Sequence, residues 1–204
     1  MDREYSTIPI RTTLDEFQRI PRNPSYKYEY FDGQGQIVPS PKQLRLRLTL
    51  DCESTQSTDC RLLMPNDWEE IRTVLRSAFC RLSPLYSLSD TEARNNAIER
   101  QVSATRAGEY GDLVGEACVV ALDRGIVCGA LLVTLWEGFP NITWIAVRED
   151  QWRRGHGGRM LAASCAQLRG NWNLVTSSVY VDHAAALVWH WRMGFVIDSV
   201  PCHL

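Results

Sequence analysis

No two cysteines of this chain have C-x-x-C spacing, no apolar run approaches the ~20 residues of a membrane span, and neither sign of charge predominates. Each absence removes a class of function. The seven cysteines, Cys52, Cys60, Cys80, Cys118, Cys128, Cys165 and Cys202, are scattered and odd in number. A zinc site or redox pair needs close, repeated ligand spacings, so no metal is expected and the thiols read as the reduced cysteines of a cytoplasmic protein. The N-terminal Met1-Asp2-Arg3-Glu4-Tyr5 has no apolar stretch of the kind a secretory leader carries. A formal net charge of −2 supplies no field to draw the chain to nucleic acid or to an anionic membrane. There is no internal repeat and no low-complexity tract.

What is present suits a soluble globular protein. At 204 residues, 45% hydrophobic and 23% charged, the chain can bury a core without metals or disulfides. Residues 52–59 are polar and aperiodic, which reads as a linker. They divide a small N-terminal part, residues 1–58, from a domain spanning 59–204. In the first part Thr13 and Glu16 have capping-box spacing for a helix from Leu14 to about Ile20. Tyr26, Tyr28 and Tyr30 share one face of a strand, Asp32 to Gly35 turn the chain, and Gln36 to Val38 return. Leu44, Leu46, Leu48 and Leu50 alternate with Arg45, Arg47 and Thr49, the pattern of a half-buried strand with a basic outer face.

The second part reads strand, two helices, three strands, helix, strand, helix. Arg61 to Met64 begins it. Asn66 with Glu69, and Ser89 with Glu92, cap two helices, the first carrying Trp68, Ile71, Val74, Leu75 and Phe79 at helical spacing. Glu116 to Leu122 and Ile126 to Leu135 form a hairpin about Asp123-Arg124-Gly125. Asn141 to Val147 is a strand, Gly157 to Arg169 a helix, Leu174 to Val181 a strand and Ala184 to Met193 the last helix. The fold class expected is α/β (α+β), with a largely antiparallel central sheet flanked by helices.

The chemistry concentrates where the strand ending at Val147 meets the helix after Arg153-Arg154-Gly155-His156-Gly157-Gly158. A helix start offers unpaired N–H groups and the positive end of the helix dipole. Glycines let a phosphate approach that backbone, and arginines add charge. The turn therefore reads as a phosphate or pyrophosphate cradle, with a glycine-rich linker and solvated arginines as the alternative. It is not G-x-x-x-x-G-K-S/T, and Met160 stands where the third glycine of G-x-G-x-x-G would be.

This segment resembles the acetyl-CoA motif of the GNAT superfamily of N-acetyltransferases, V-x-P-x-x-Q/R-x-x-G-x-G/A. Val147, Gly155 and Gly157 match it, Glu149 replaces the proline and Trp152 the Gln or Arg. Further on, His183 to Phe195 resembles that family's N-x-x-A-x-x-L-Y-x-x-x-G-F. There Ala186, Gly194 and Phe195 match, with His183, Trp189 and His190 at the Asn, Leu and Tyr places. The resemblance covers roughly residues 59–200. It implies acetyl-CoA as co-substrate, bound by Ile145, Val147, Trp152, Arg153, Arg154, Gly155, His156, Gly157, Gly158, His183 and Ala186. It also implies direct attack of an amine on the thioester, polarised by backbone N–H groups near Ile145 and Val147. His190, at the place of the family's acidic tyrosine, would protonate the departing sulfur; the alternative is a packed or capping ring. His156 would contact phosphate or face solvent, and His183 would cap the last helix. Asp182, Glu137 and Glu116 are candidate bases by neighbourhood only. Trp136, Trp144, Trp172, Trp189 and Trp191 either line an acceptor pocket or pack in the core.

The chain runs nine residues past Phe195, short for that family's last hairpin, so N-terminal strands are expected to complete the sheet. The acceptor is an amine-bearing molecule of unspecified identity, no nucleic-acid or membrane partner is expected, and a homodimer is left open. A non-catalytic CoA-binding module is the competing reading. A partner-binding face built from Arg45, Arg47 and the tyrosines is the third, set against an ordinary amphipathic strand.

Overall fold

The computed structural model describes residues 8–11, 13–19, 26–31, 34–39, 43–50, 59–79, 91–180 and 183–198. Two compact units emerge among them. One ends at Gln43 and also takes in Tyr180; the other holds Leu44–Val179 and the residues from His183 onward. In the first, β1 (Ile8–Ile10), β2 (Tyr26–Phe31) and β3 (Gln34–Pro39) form an antiparallel sheet in the order β1-β3-β2. The capping box starts α1 (Leu14–Gln18): Thr13 Oγ1 accepts from the Glu16 N–H at 3.3 Å and Glu16 Oε2 accepts from the Thr13 N–H at 3.0 Å. Phe17 is buried against the Tyr30 ring, with centroids 5.3 Å apart.

The second unit is built on a seven-stranded sheet. Its strands are β4 (Gln43–Thr49), β5 (Cys60–Leu62), β6 (Val119–Asp123), β7 (Ile126–Trp136), β8 (Phe139–Val147), β9 (Leu174–Tyr180) and β10 (Val196–Ile197), in the order β10-β4-β9-β8-β7-β6-β5. The β5 to β8 neighbours and the β4–β10 pair are antiparallel, and β8–β9 is parallel. Its helices are α2 (Trp68–Ala78), α3 (Thr91–Arg106), α4 (His156–Leu168) and α5 (Ala184–Arg192). Ile71, Leu75, Leu131, Leu132, Met160 and Leu168 are almost wholly withdrawn from solvent and make the middle of the core. The expected mixed fold with a largely antiparallel sheet is the one found.

Two details differ from the sequence reading. Asn66 is not the cap of α2. A 3₁₀ turn over Pro65–Asp67 intervenes, and buried Asp67 accepts from the Met64 N–H at 2.7 Å while gripping Arg61 through both oxygens at 2.6 and 2.7 Å. That guanidinium holds the Asp67 carboxyl below the ordinary carboxylate range. Ser89 and residues 51–58, the expected cap and most of the expected linker, lie outside the described residues.

The strand grouped by its sequence with the N-terminal part, β4, is an internal strand of the larger sheet, seated between β9 and β10. Its alternating leucines explain the seat: Leu46 is fully buried and Leu50 nearly so. Its end is tied down by the Leu50 N–H donating to Asn173 O at 2.9 Å and by Arg169 Nε donating to Leu50 O at 3.1 Å. Nor is the opposite face freely basic. Arg45 is bound to Glu137 at 2.6 Å and to Asp198 at 3.3 Å, which takes it out of any partner-binding surface. Leu46→Ala should cost about 2–5 kcal/mol in denaturant unfolding; a loss under ~1 kcal/mol would mean that β4 is not held in the sheet.

Candidate functional site

β8 and β9 pair only at Asn141 with Thr176 and at Ile142 with Ser177. Beyond those positions the ladder stops, and the β9-side edge of Thr143 to Val147 has no strand partner among the described residues. A strand edge inside a sheet presents backbone N–H and C=O groups that need partners. Ile145 and Val147, both half-buried, belong to this stretch.

The chain leaves β8 through a 3₁₀ turn, Glu149–Gln151, and enters α4 at His156. Arg153 has φ 63° and Gly155 φ 81°, whereas Arg154 between them is not in the positive-φ region. A turn in which the sign of φ alternates can gather successive N–H groups about one concavity, an arrangement that suits an anion. It opens here on the first turn of a 13-residue helix, whose end contributes further donors and a positive dipole. Arg153 and Arg154 are exposed beside it. The turn the sequence singled out is thus a bend of alternating φ sign that leads into a helix start.

Both departures from the motif have partners in the structure. A proline at position 149 would have no N–H; Glu149 has one, and it donates to Ser77 Oγ of α2 at 3.1 Å. Trp152 donates its Nε1–H to the Val147 carbonyl at 2.6 Å, closing the turn on the end of its own strand. Arg148 adds a two-toothed pair with Asp150, 3.0 and 2.8 Å. Ser77 was missed by the sequence reading because nothing local relates it to a residue 72 positions later.

Gly157 and Gly158 are half-buried at the start of α4. A Cβ on Gly157 would lie 3.3 Å from Trp189 Nε1, and one on Gly158 3.6 Å from Met193 Sδ. These glycines thus admit α5 to the start of α4, as well as leaving the amides open. Trp189 is packed against the start of α4. Trp144 is likewise half-buried, donating to Thr105 Oγ1 at 3.0 Å and meeting the Phe79 ring edge-on at 5.5 Å. Trp136 and Trp191 are exposed.

The histidines depart most from expectation. His156 is buried and does not face solvent. Its Nδ1 lies 3.0 Å from Arg159 Nη2, and the ring is 3.7 Å from Cys128 Sγ. His190 is 2% exposed, with Nδ1 at 2.8 Å from Ala186 O and Nε2 at 3.0 Å from Ser177 Oγ. A carbonyl only accepts, so Nδ1 carries the proton and Nε2 accepts from the Ser177 hydroxyl. Both nitrogens are committed, and edge-on contacts with Trp189 at 4.8 Å and Phe195 at 4.9 Å enclose the ring. This is the geometry of a packed, hydrogen-bonded core histidine rather than of an acid poised over a leaving group. Ala186 serves it as a carbonyl acceptor. His183 holds the N-cap position of α5 without a side-chain cap bond.

No expected base stands out. Glu137, at the β7–β8 turn with φ 51°, is paired with Arg45; Glu116 is exposed in a 3₁₀ turn; Asp182 lies outside the described residues. The described cysteines, Cys60, Cys118, Cys128 and Cys165, are all free thiols, and burial pushes Cys118 and Cys165 up to about 11.

Comparisons with known proteins bear on this geometry. The model of the acetyltransferase (GNAT) family matches residues 68–195. No curated protein gives a significant match. Among solved structures the chain is similar to a GCN5-related N-acetyltransferase from Sphaerobacter thermophilus, with TM-score 0.56 and 20% identity over 76% of this chain and 48% of that one. It therefore spans about half the length of that protein. It is similar to a PaiA N-acetyltransferase from Thermoplasma acidophilum, solved in complex with coenzyme A, with TM-score 0.52 and 12% identity over 70% of this chain and 92% of that one. It is also similar to Ard1 from Thermoplasma volcanium, with TM-score 0.50 and 19% identity over 72% and 86% of the two chains. At these identities the likeness is one of fold.

Burial lowers the pKa of both His156 and His190 from the ordinary 6.5. On acidification below about 6.5 the unfolded chain therefore takes up protons that the folded chain refuses. Stability from these two groups is fully present above that pH and is lost as pH falls toward their folded values. Denaturant midpoints measured from pH 8 to 5 should decline on the acid side, with a shallower slope in His190→Gln. An equal slope in that variant would show that His190 is not buried neutral.

Proposed function

The chain belongs to the acetyltransferase (GNAT) family, and we propose that it transfers the acetyl group of acetyl-CoA to a primary amine, of a small molecule, a protein N-terminus or a lysine. The observation that carries this reading is the turn of alternating φ sign at residues 153–155, set between a strand edge without a strand partner and the first turn of α4. The residues present fit the ligand. The amides from Arg154 to Gly158 suit a pyrophosphate, and the free edge of Thr143 to Val147 suits the amide-bearing arm that follows it. In this reading residues 59–204 are the catalytic domain, with β4 lent to its sheet by the N-terminal extension.

The reaction proposed is direct attack. The amine nitrogen forms a bond to the thioester carbonyl carbon, the carbon–sulfur bond breaks to release CoA as its thiolate, the proton lost from nitrogen passes to water, and the thiolate takes a proton from water. The strand-edge N–H groups near Ile145 and Val147 orient the acetyl group and polarise its carbonyl. His190 acts as a positioning element that locks α5 to β9 through Ser177. The second reading, a non-catalytic CoA-binding module, is favoured by that same commitment of both His190 nitrogens.

Calorimetric titration with acetyl-CoA tests the binding half of the proposal. Micromolar affinity is expected, and Arg154→Glu should weaken it at least about tenfold by placing a carboxylate beside the phosphate. No binding at millimolar acetyl-CoA would defeat the proposal. Steady release of free CoA with a panel of amines separates the enzyme from the module. In the enzyme, His190→Gln, which keeps a donor and an acceptor, should turn over within about threefold of wild type; a loss of about 10²-fold or more would restore the acid role.

A further inference from the structure

Arg159 lies one helical turn past the glycine that starts α4, and its guanidinium is directed at the turn's own backbone. Nη1 donates to the Arg154 carbonyl at 2.9 Å, Nη2 lies 3.0 Å from His156 Nδ1, and Nε faces Asp59 Oδ2 at 3.8 Å. A Cβ on Gly155 would meet Nη1 at 3.0 Å, so the guanidinium occupies the space that a side chain at 155 would need. A guanidinium has donors only. His156 Nδ1 must therefore accept, and the ring proton sits on Nε2, which is 3.8 Å from Cys128 Sγ.

The geometry points to Arg159 as the positioning residue of the cofactor turn, anchored by the Arg154 carbonyl and by the neutral, buried ring of His156. The inference rests on the acetyl-CoA reading above and adds what holds its cradle in shape. A peptide unit is rigid and planar, so the Arg154 carbonyl and the Gly155 N–H point in opposite directions. Holding the carbonyl on Arg159 fixes that N–H on the other side. A flip of this one peptide would put a carbonyl oxygen where an anion is to sit. The turn has reason to relax, because Arg153 is a non-glycine residue at φ 63°, a conformation that persists only where its surroundings over-determine it. His156 does its part only while neutral. The charged and titratable groups that face it are Arg159, Arg154, Asp123, Asp59 and the Cys128 thiol, and a proton on Nδ1 would meet the Arg159 guanidinium at hydrogen-bond distance.

The test uses the full chain with Arg159→Met, which keeps the stem and removes the donors, Arg159→Lys, His156→Leu and the Met/Leu double variant. Acetyl-CoA affinity is measured by calorimetry at fixed salt, and backbone amide exchange of residues 154–158 is followed in the ligand-free protein. Arg159→Met should weaken binding about tenfold, the worth of one charge-assisted hydrogen bond, and speed exchange at those amides with the rest of α4 unchanged. Arg159→Lys should fall between Met and wild type. His156→Leu should weaken binding a few-fold, and the double variant should bind no worse than Arg159→Met, because the ring acts only through the guanidinium. Binding by Arg159→Met within about twofold of wild type overturns the inference. So does weakened binding with unchanged exchange, which would mean direct contact with phosphate, and so do independent effects that multiply in the double variant. If the wild type bound no acetyl-CoA, the cofactor reading would fail, while the exchange arm would still decide whether Arg159 holds the turn.

Discussion

Two residue pairs join β8 to β9, and beyond them the two strands no longer pair. β8 is held on its other side by β7 over eight register positions from Gly129–Val147 to Trp136–Phe139, and β9 is flanked on its far side by β4. Each strand is thus anchored on its far side by a different neighbour. Unpaired backbone groups in a sheet cost free energy unless something takes them up. Here the open stretch runs from Thr143 to Val147, and the 3₁₀ turn Glu149–Gln151 separates it from the turn of alternating φ sign at 153–155. In the proposed reading the amide-bearing arm of the ligand would meet the first and its phosphorylated end the second.

The turn keeps this geometry although two of its residues depart from the family pattern. A proline at 149 would stiffen the chain by fixing φ. Glu149 does not, and the constraint is supplied from outside by Ser77, from within by the Trp152 indole on the Val147 carbonyl, and at the far end by Arg159. Backbone preorganisation that a motif residue provides covalently is here distributed over three side-chain hydrogen bonds. Each is individually modest, about 0.5–1.5 kcal/mol net, so the turn depends on their being formed together.

What was legible in the sequence was local. The capping box at Thr13, the leucine alternation of β4, the helical spacing of α2 and the strand–turn–helix order at 147–158 follow from periods of two and 3.6 and from where glycine stands. What was not legible depends on contacts across the chain. An N-terminal strand was expected to complete the sheet, but that it is β4 rather than β2 or β3, seated between β9 and β10, depends on strands that follow it by more than a hundred residues. His156 looked like a solvated spacer because its neighbours in sequence are glycines and arginines; Cys128, on β7, makes it a buried ring. Arg159 could have been noticed from its i+4 relation to Gly155, which puts both on one side of a helix start. His190 occupies the place of a family tyrosine, yet identity of position does not carry identity of surroundings. The Ser177 hydroxyl and the Ala186 carbonyl, from a strand and from its own helix, decide its tautomer and its role.

Gly157 lets α5 pack against the start of α4, and in the proposed site α5 would brace the turn without acting on the reacting atoms. Its missing side chain lets Trp189 come within 3.3 Å of where a Cβ would be, and one residue on, His190 fastens α5 to β9. The last helix therefore braces the cradle and the second wall of the opening at once. In the proposed acetyl transfer such bracing would serve the orientation of the two reactants. Orientation of two bound reactants is worth about 7–11 kcal/mol of barrier, whereas a dedicated general acid contributes typically ~10²–10⁴-fold, about 3–5 kcal/mol. A site that spends its histidine on rigidity gives up the smaller of the two terms and protects the larger.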